Sequence, residues 1–147
     1  MKITETYRNL TGQLEKLGDI PLFLMRIVLA YGFYMPATMK WSNIGSIIEW
    51  FDNMGIPLPG LNAYLAATTE MAGVILLPLG LATRFISIPL MFTMVVAIVT
   101  VHWGNGFNAG DNGFEIPLYY MLMLLMLFVK GAGRFSLDQL LSKKMLS

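Results

Sequence analysis

Four stretches of this chain are apolar enough and long enough to cross a lipid bilayer, and that limits its possible folds more than any other feature. A hydrocarbon core about 30 Å thick takes about 20 helical residues at roughly 1.5 Å each. Residues 20–39, 62–82, 85–103 and 114–132 meet that need. The last is marginal, because its uninterrupted apolar run covers only residues 116–129. Lys130 is therefore expected to snorkel and Glu115 to sit at the interface. At the start of the first stretch, Asp19 is placed to cap the helix and Pro21 suits its first turn. The expected fold is an all-α integral membrane four-helix bundle, and 147 residues suit a single domain.

Composition agrees with that class. Hydrophobic residues make up 56% of the chain and charged residues 13%, about half the charged share of a soluble domain. No cysteine is present, which excludes a disulfide framework, a thiolate nucleophile and a thiolate-held iron–sulfur cluster. No phosphate-cradling glycine motif or H-E-x-x-H pattern occurs. No basic patch with interleaved aromatics occurs either, so nucleic acid is not an expected partner. The first apolar stretch exceeds the roughly 7–15 residues of a signal-peptide core, and no small-residue cleavage site follows it, so it reads as a retained helix.

The charges set an orientation. Lys2, Arg8 and Lys16 precede the first helix, Arg84 joins the second and third, and Lys130, Arg134, Lys143 and Lys144 end or follow the fourth. Lys40 alone lies on the opposite side, and Arg26 lies within the first helix. The positive-inside rule then puts both termini in the cytoplasm. In the outer connection, Ile44, Ile47, Ile48 and Phe51 share one helical face, with Ser46, Glu49, Asp52 and Asn53 opposite. Together with Trp41 and Trp50 as anchors, this predicts a helix over 42–53 lying on the outer membrane surface. Gly55, Pro57, Pro59 and Gly60 end it. Tyr7, Leu10, Leu14 and Leu17 suggest a short cytoplasmic surface helix, and Ser136 with Gln139 has capping-box spacing. Pro36 and Pro78 free the carbonyls of Gly32 and Val74 and can kink their helices. Gly73 and Gly80, with Ala66, Ala67 and Ala72, permit close helix contact.

Ionisable groups inside a membrane are costly and commonly functional. Arg26 lies roughly 9 Å from the cytoplasmic start of its helix and Glu70 roughly 12 Å from the outer start of its own, so their levels differ by roughly 9 Å in a core of about 30 Å. Arg26 either snorkels to the cytoplasmic headgroups or pairs with Glu70. Toward the outer leaflet, Glu70, Lys40, His102 and Glu115 come from four different helices, below a loop with Asn105, Asn108, Asp111 and Asn112. A carboxylate and an imidazole beside an apolar cavity can relay protons to a reducible ring such as a quinone. The plainer alternative is an interfacial polar ring that satisfies helix ends, with Glu115 serving the dipole of its helix. Of the twelve methionines, Met91, Met94, Met121, Met123 and Met126 read as adaptable packing rather than a thioether metal site, and no metal is expected.

These landmarks form an ordered set: Arg26, Lys40, Glu70 followed by Gly73, the run Gly80-Leu81-Ala82-Thr83-Arg84, His102, and the run Gly131-Ala132-Gly133-Arg134-Phe135-Ser136-Leu137-Asp138. The set resembles the DoxX family across residues 22–140. The stretches 48–51 and 97–106 look closest to its HvfX-like branch, with a shorter loop between the third and fourth helices. The resemblance implies a four-helix protein of the bacterial inner membrane. It also implies an association with redox or stress-response complexes, one of them quinone-linked. The expectation is thus a membrane subunit of such a complex, with Glu70 as the buried proton-accepting group, Lys40 and His102 as polar partners, Arg26 balancing Glu70, and Glu115 nearby. Its expected partners are the lipid bilayer, other redox-complex subunits or further copies of the chain. A small oligomeric transporter and a non-catalytic scaffold for a soluble enzyme are the alternatives.

Overall fold

The computed structural model describes residues 2–145, which are mainly helical with no strand among them. Seven α-helices follow in order: α1 (Lys2–Lys16), α2 (Asp19–Ser42), α3 (Ile44–Asn53), α4 (Pro59–Leu79), α5 (Thr83–Ala97), α6 (Glu115–Lys130) and α7 (Leu137–Met145). A π-helical turn (Ile98–His102) and a 3-10 turn (Trp103–Asn105) carry α5 outward. The 24 residues of α2, the 21 of α4 and the 23 of Thr83–Asn105 can each span a hydrocarbon core. The 16 residues of α6 reach only about 24 Å, which is why Lys130 ends it at the headgroups. Side chains such as Tyr31, Met35, Phe85 and Val99 stand outward with most of their surface uncovered. A surface so apolar belongs in lipid.

Local chemistry explains the helix ends. Pro59 opens α4 at a position where its missing N–H costs nothing. At the other end Gly80 adopts φ +62°, and Leu81 donates back to the Leu76 carbonyl at 3.1 Å, closing the helix as a left-handed cap. Only glycine fits there, because a Cβ would lie 2.3 Å from Arg26 Nη1 and 2.5 Å from Ser136 Cβ. Ser136 caps α7, its hydroxyl accepting the Gln139 N–H at 3.3 Å, as the capping-box spacing predicts. Asp19 departs from expectation: the residue preceding α2 is Gly18, without a side-chain cap. Asp19 instead accepts the Arg134 N–H at 2.9 Å, tying the start of α2 to the segment after α6.

That segment makes the cytoplasmic end rigid. Asp138 accepts the N–H groups of Ala82 at 2.7 Å and Thr83 at 3.0 Å, satisfying orphan donors at the start of α5. The Asp138 N–H returns a bond to the Gly80 carbonyl at 2.9 Å. The start of α2, the turn between α4 and α5, and the chain leading into α7 therefore share one face. This is the side rich in Lys and Arg, the cytoplasmic side by the positive-inside rule.

The apolar core sits in the same half. Leu22, Leu29 and Phe33 of α2, Leu77 of α4, Leu90 and Met94 of α5, and Leu124 and Leu127 of α6 form it. Gly73 lets the Leu90 side chain approach to where a Cβ would be 2.9 Å away. In the outer half α2 and α4 pack through small residues, with Ala37, Ala63 and Ala67 fully buried, and Trp41 Nε1 donates to the Ala67 carbonyl at 3.2 Å. α3 lies across the outer end with Phe51 turned inward and Ser46, Glu49, Asp52 and Asn53 turned out, as the amphipathic pattern requires.

Candidate functional site

Above the core the outer half of the bundle is hollow. A cavity of about 750 Å³ lies between α2, α4, α5 and α6, within the range of small-molecule sites. Gly32, Pro36 and Lys40 follow one face of α2 at intervals of four residues and all line it. Phe33, Met94 and Tyr120 form its floor, Trp50 and Phe51 reach it from α3 and Met54 from just beyond, and Asn112 and Gly113 come from the outer loop. The lining is mainly apolar, so its few polar groups stand out.

The first is an ion pair. Lys40 Nζ lies 2.8 Å from one oxygen of Glu70 and 3.0 Å from the other. The Glu70 side chain is 3% exposed and that of Lys40 14%. A lone carboxylate at this depth costs several kcal/mol, an order of magnitude set by desolvation, and the ammonium offsets it. Lys40 does so by bending inward from the outer end of α2 rather than outward to the headgroups.

Arg26 does not balance Glu70, and it does not snorkel. It is fully buried, with Nη1 donating to the carbonyls of Leu77 at 3.1 Å and Pro78 at 3.2 Å, and Nη2 to that of Phe135 at 2.5 Å. These carbonyls lie at the negative end of the α4 dipole, and although that of Leu77 also accepts the Gly80 N–H at 3.0 Å, each has a lone pair left for a guanidinium. Its Cζ also lies 5.3 Å from the centre of the Phe23 ring, within cation–π range. The reason for the swap is antiparallel pairing. Arg26 near the cytoplasmic end of α2 meets the end of α4, while Lys40 near the outer end meets Glu70.

His102 is the second polar group of the lining. Its Nδ1 lies 2.8 Å from the Asn112 carbonyl. A carbonyl only accepts, so Nδ1 carries a proton, and in the neutral ring Nε2 is left as an acceptor. The π-helical turn ending at His102 brings Thr100, Val101 and His102 to the wall together, a distortion frequent at functional sites. Glu115 is not brought into this group. Its carboxylate accepts the Ala109 N–H at 3.0 Å and the Tyr119 hydroxyl at 3.1 Å, which pins the loop over the cavity.

Tyr120 was not among the expected residues. Its ring meets Phe33 edge-on at 5.5 Å and lies against Gly32, where a Cβ would be 1.9 Å from the hydroxyl oxygen. That hydroxyl has no hydrogen-bond partner among the described residues. The available signal was a pair of hydroxyl-bearing rings, Tyr119 and Tyr120, in an otherwise apolar run, the second about one helical turn below Ile116 and Pro117.

The DoxX family profile matches residues 21–103. An uncharacterized protein of Haemophilus influenzae is 34% identical over 86% of this chain and 86% of its own length. A Bacillus subtilis protein named "Putative oxidoreductase CatD" is 29% identical over 88% of this chain and 93% of its own. The inner membrane protein YphA of Escherichia coli is 27% identical over 80% and 88% respectively. No solved structure matches.

Proposed function

The chain belongs to the DoxX family, and on that footing we propose that it is the membrane subunit of a redox complex, holding a quinone headgroup in its outer-half cavity. The carrying observation is the buried Lys40–Glu70 pair in the wall of a large, mainly apolar cavity. A quinone ring is flat and apolar with carbonyl acceptors, and this cavity offers apolar walls with few, convergent polar groups, the general form of a small-molecule site. When bound, such a ring supplies two-electron, two-proton chemistry. Lys40 holds protons that it can donate to an acceptor while remaining against Glu70. The Tyr120 hydroxyl supplies a second donor from the floor. His102 Nε2 and the Glu70 carboxylate are the groups that can take a proton, and Asn112 fixes the imidazole orientation. The apolar floor and α3 limit access of water. The name of the Bacillus subtilis relative agrees with a redox role.

The test is to purify the protein from native membranes in mild detergent and extract it for quinone. A near-stoichiometric yield in the wild type, lost in Glu70→Gln and in His102→Ala at unchanged helicity, is expected. Wild-type protein without quinone that also takes up none when it is added would overturn the assignment.

A further inference from the structure

Two sides of the cavity are closed by direct helix contacts. α2 and α4 are sealed by buried Ala37, Ala63 and Ala67. α2 and α6 meet only at the floor, where Tyr120 lies against Gly32 and Phe33, and above that contact Ile116 lines the cavity with 45% of its surface exposed. α5 and α6 are joined at their outer ends by the stack of Trp103 on Phe114 at 5.4 Å and by the bond from His102 to Asn112 at 2.8 Å. The most exposed large apolar side chains of the lining stand between α4 and α5. α4 and α5 touch closely at Gly73 and Leu90, and outward of that contact both helices line the cavity, α4 through Leu65 and Thr69, α5 through Phe92 and Val96. Leu65 and Phe92 line the space yet are 54% and 68% exposed, so they form a rim and not a wall.

We infer that the cavity opens sideways between α4 and α5 into the outer leaflet, and that its ligand is a bilayer-dissolved amphiphile whose apolar tail passes between Leu65 and Phe92 while its polar head meets Lys40 and Glu70. This rests on the quinone reading only for the identity of the head. The polarity gradient carries the inference: the ion pair stands inside, and the rim is apolar apart from the hydroxyls of Thr69 and Thr93. In lipid that rim faces hydrocarbon, where a water-soluble ligand has no concentration but a tailed one does. Pro89, exposed and also lining the cavity, leaves the carbonyl one turn below without its helical partner. This side of α5 is thus the one able to give as a tail passes.

The chain has no cysteine, so Leu65→Cys/Phe92→Cys can be bridged cleanly with a bifunctional maleimide. Both side chains face lipid, which leaves the fold intact. In vesicles, the bridged and unbridged proteins are exposed to two photoreactive probes, a long-tailed quinone and a long-chain alcohol, and labelled peptides are mapped. Both probes are expected to label the 89–101 and 116–120 peptides of the unbridged protein, and labelling of the bridged protein is expected to fall to the level without light. Labelling by the alcohol alone, lost on bridging, would retain the lateral mouth and remove the quinone reading. Equal labelling with and without the bridge, or no labelling of these peptides by either probe, would overturn the mouth.

Discussion

Replacing Lys40 by Met removes one charge of the buried pair and leaves Glu70 where it stands. Glu70 has no other hydrogen-bond partner among the described residues, so its carboxylate must then either take up a proton or stay charged in an apolar wall. Breaking a buried pair in this way typically costs about 3–5 kcal/mol. The lower end applies here, because the Lys40 side chain retains 14% exposure and the pair is thus not wholly enclosed. For a chain of this size about 3 kcal/mol corresponds to roughly 6–12 °C in Tm. The double variant Lys40→Met/Glu70→Leu removes both charges and fills similar volume, and replacing a whole buried pair is often neutral or stabilising. We therefore predict a clear loss of Tm in Lys40→Met and its recovery in the double variant, followed by circular dichroism in detergent. A single variant as stable as wild type, or a double variant no better than the single, would mean that these charges do not depend on each other.

Three further outcomes follow from the geometry. Asp138→Ala removes the acceptor of two N–H groups at the start of α5 and is expected to cost about 0.5–2 kcal/mol, the usual worth of a helix cap, without altering ligand binding in the outer half. An unchanged Tm would show that the cytoplasmic contacts carry no load. Gly80→Ala forces a left-handed backbone on a residue with a Cβ, which costs about 1–2 kcal/mol before the clash with Arg26 is counted, so it should be less stable than Asp138→Ala, and equal or greater stability would count against the cap. For topology, an impermeant thiol reagent should label Asn53→Cys and Asp111→Cys from outside intact cells and leave Ser142→Cys untouched; the reverse pattern would invert the orientation.

Much of this architecture was legible because lipid leaves few choices. Runs of about 20 apolar residues must be helices, and the spacing of Ile44, Ile47, Ile48 and Phe51 could only describe a surface helix. The candidate site was legible by residue but not by partner. Depth estimates put Arg26 and Glu70 close enough to meet, yet they ignore that antiparallel neighbours pair end against end. Arg26 and Lys40 lie fourteen positions apart, four turns at 3.6 residues each, and so share one face of α2. Glu70 and Leu77 likewise share a face of α4. Two cations on one stripe opposite one carboxylate meant that one of them had to find carbonyls instead, and the one beside the end of α4 did. The π-helical turn had no signal, since Ile98-Val99-Thr100-Val101-His102 contains neither glycine nor proline. Asp138 lay beyond the last apolar run, where periodicity says nothing about which helix end a carboxylate will reach.

The proposed function places a quinone head against the Lys40–Glu70 pair in the outer-half cavity. The direct measurement is a binding titration of a long-tailed quinone into detergent-solubilised wild type and into Lys40→Met/Glu70→Leu, whose stability is first matched to wild type by its Tm. Saturable binding near one quinone per chain is expected in wild type, and its loss in the double variant. Binding of equal strength in both proteins, or none in wild type, would contradict that placement.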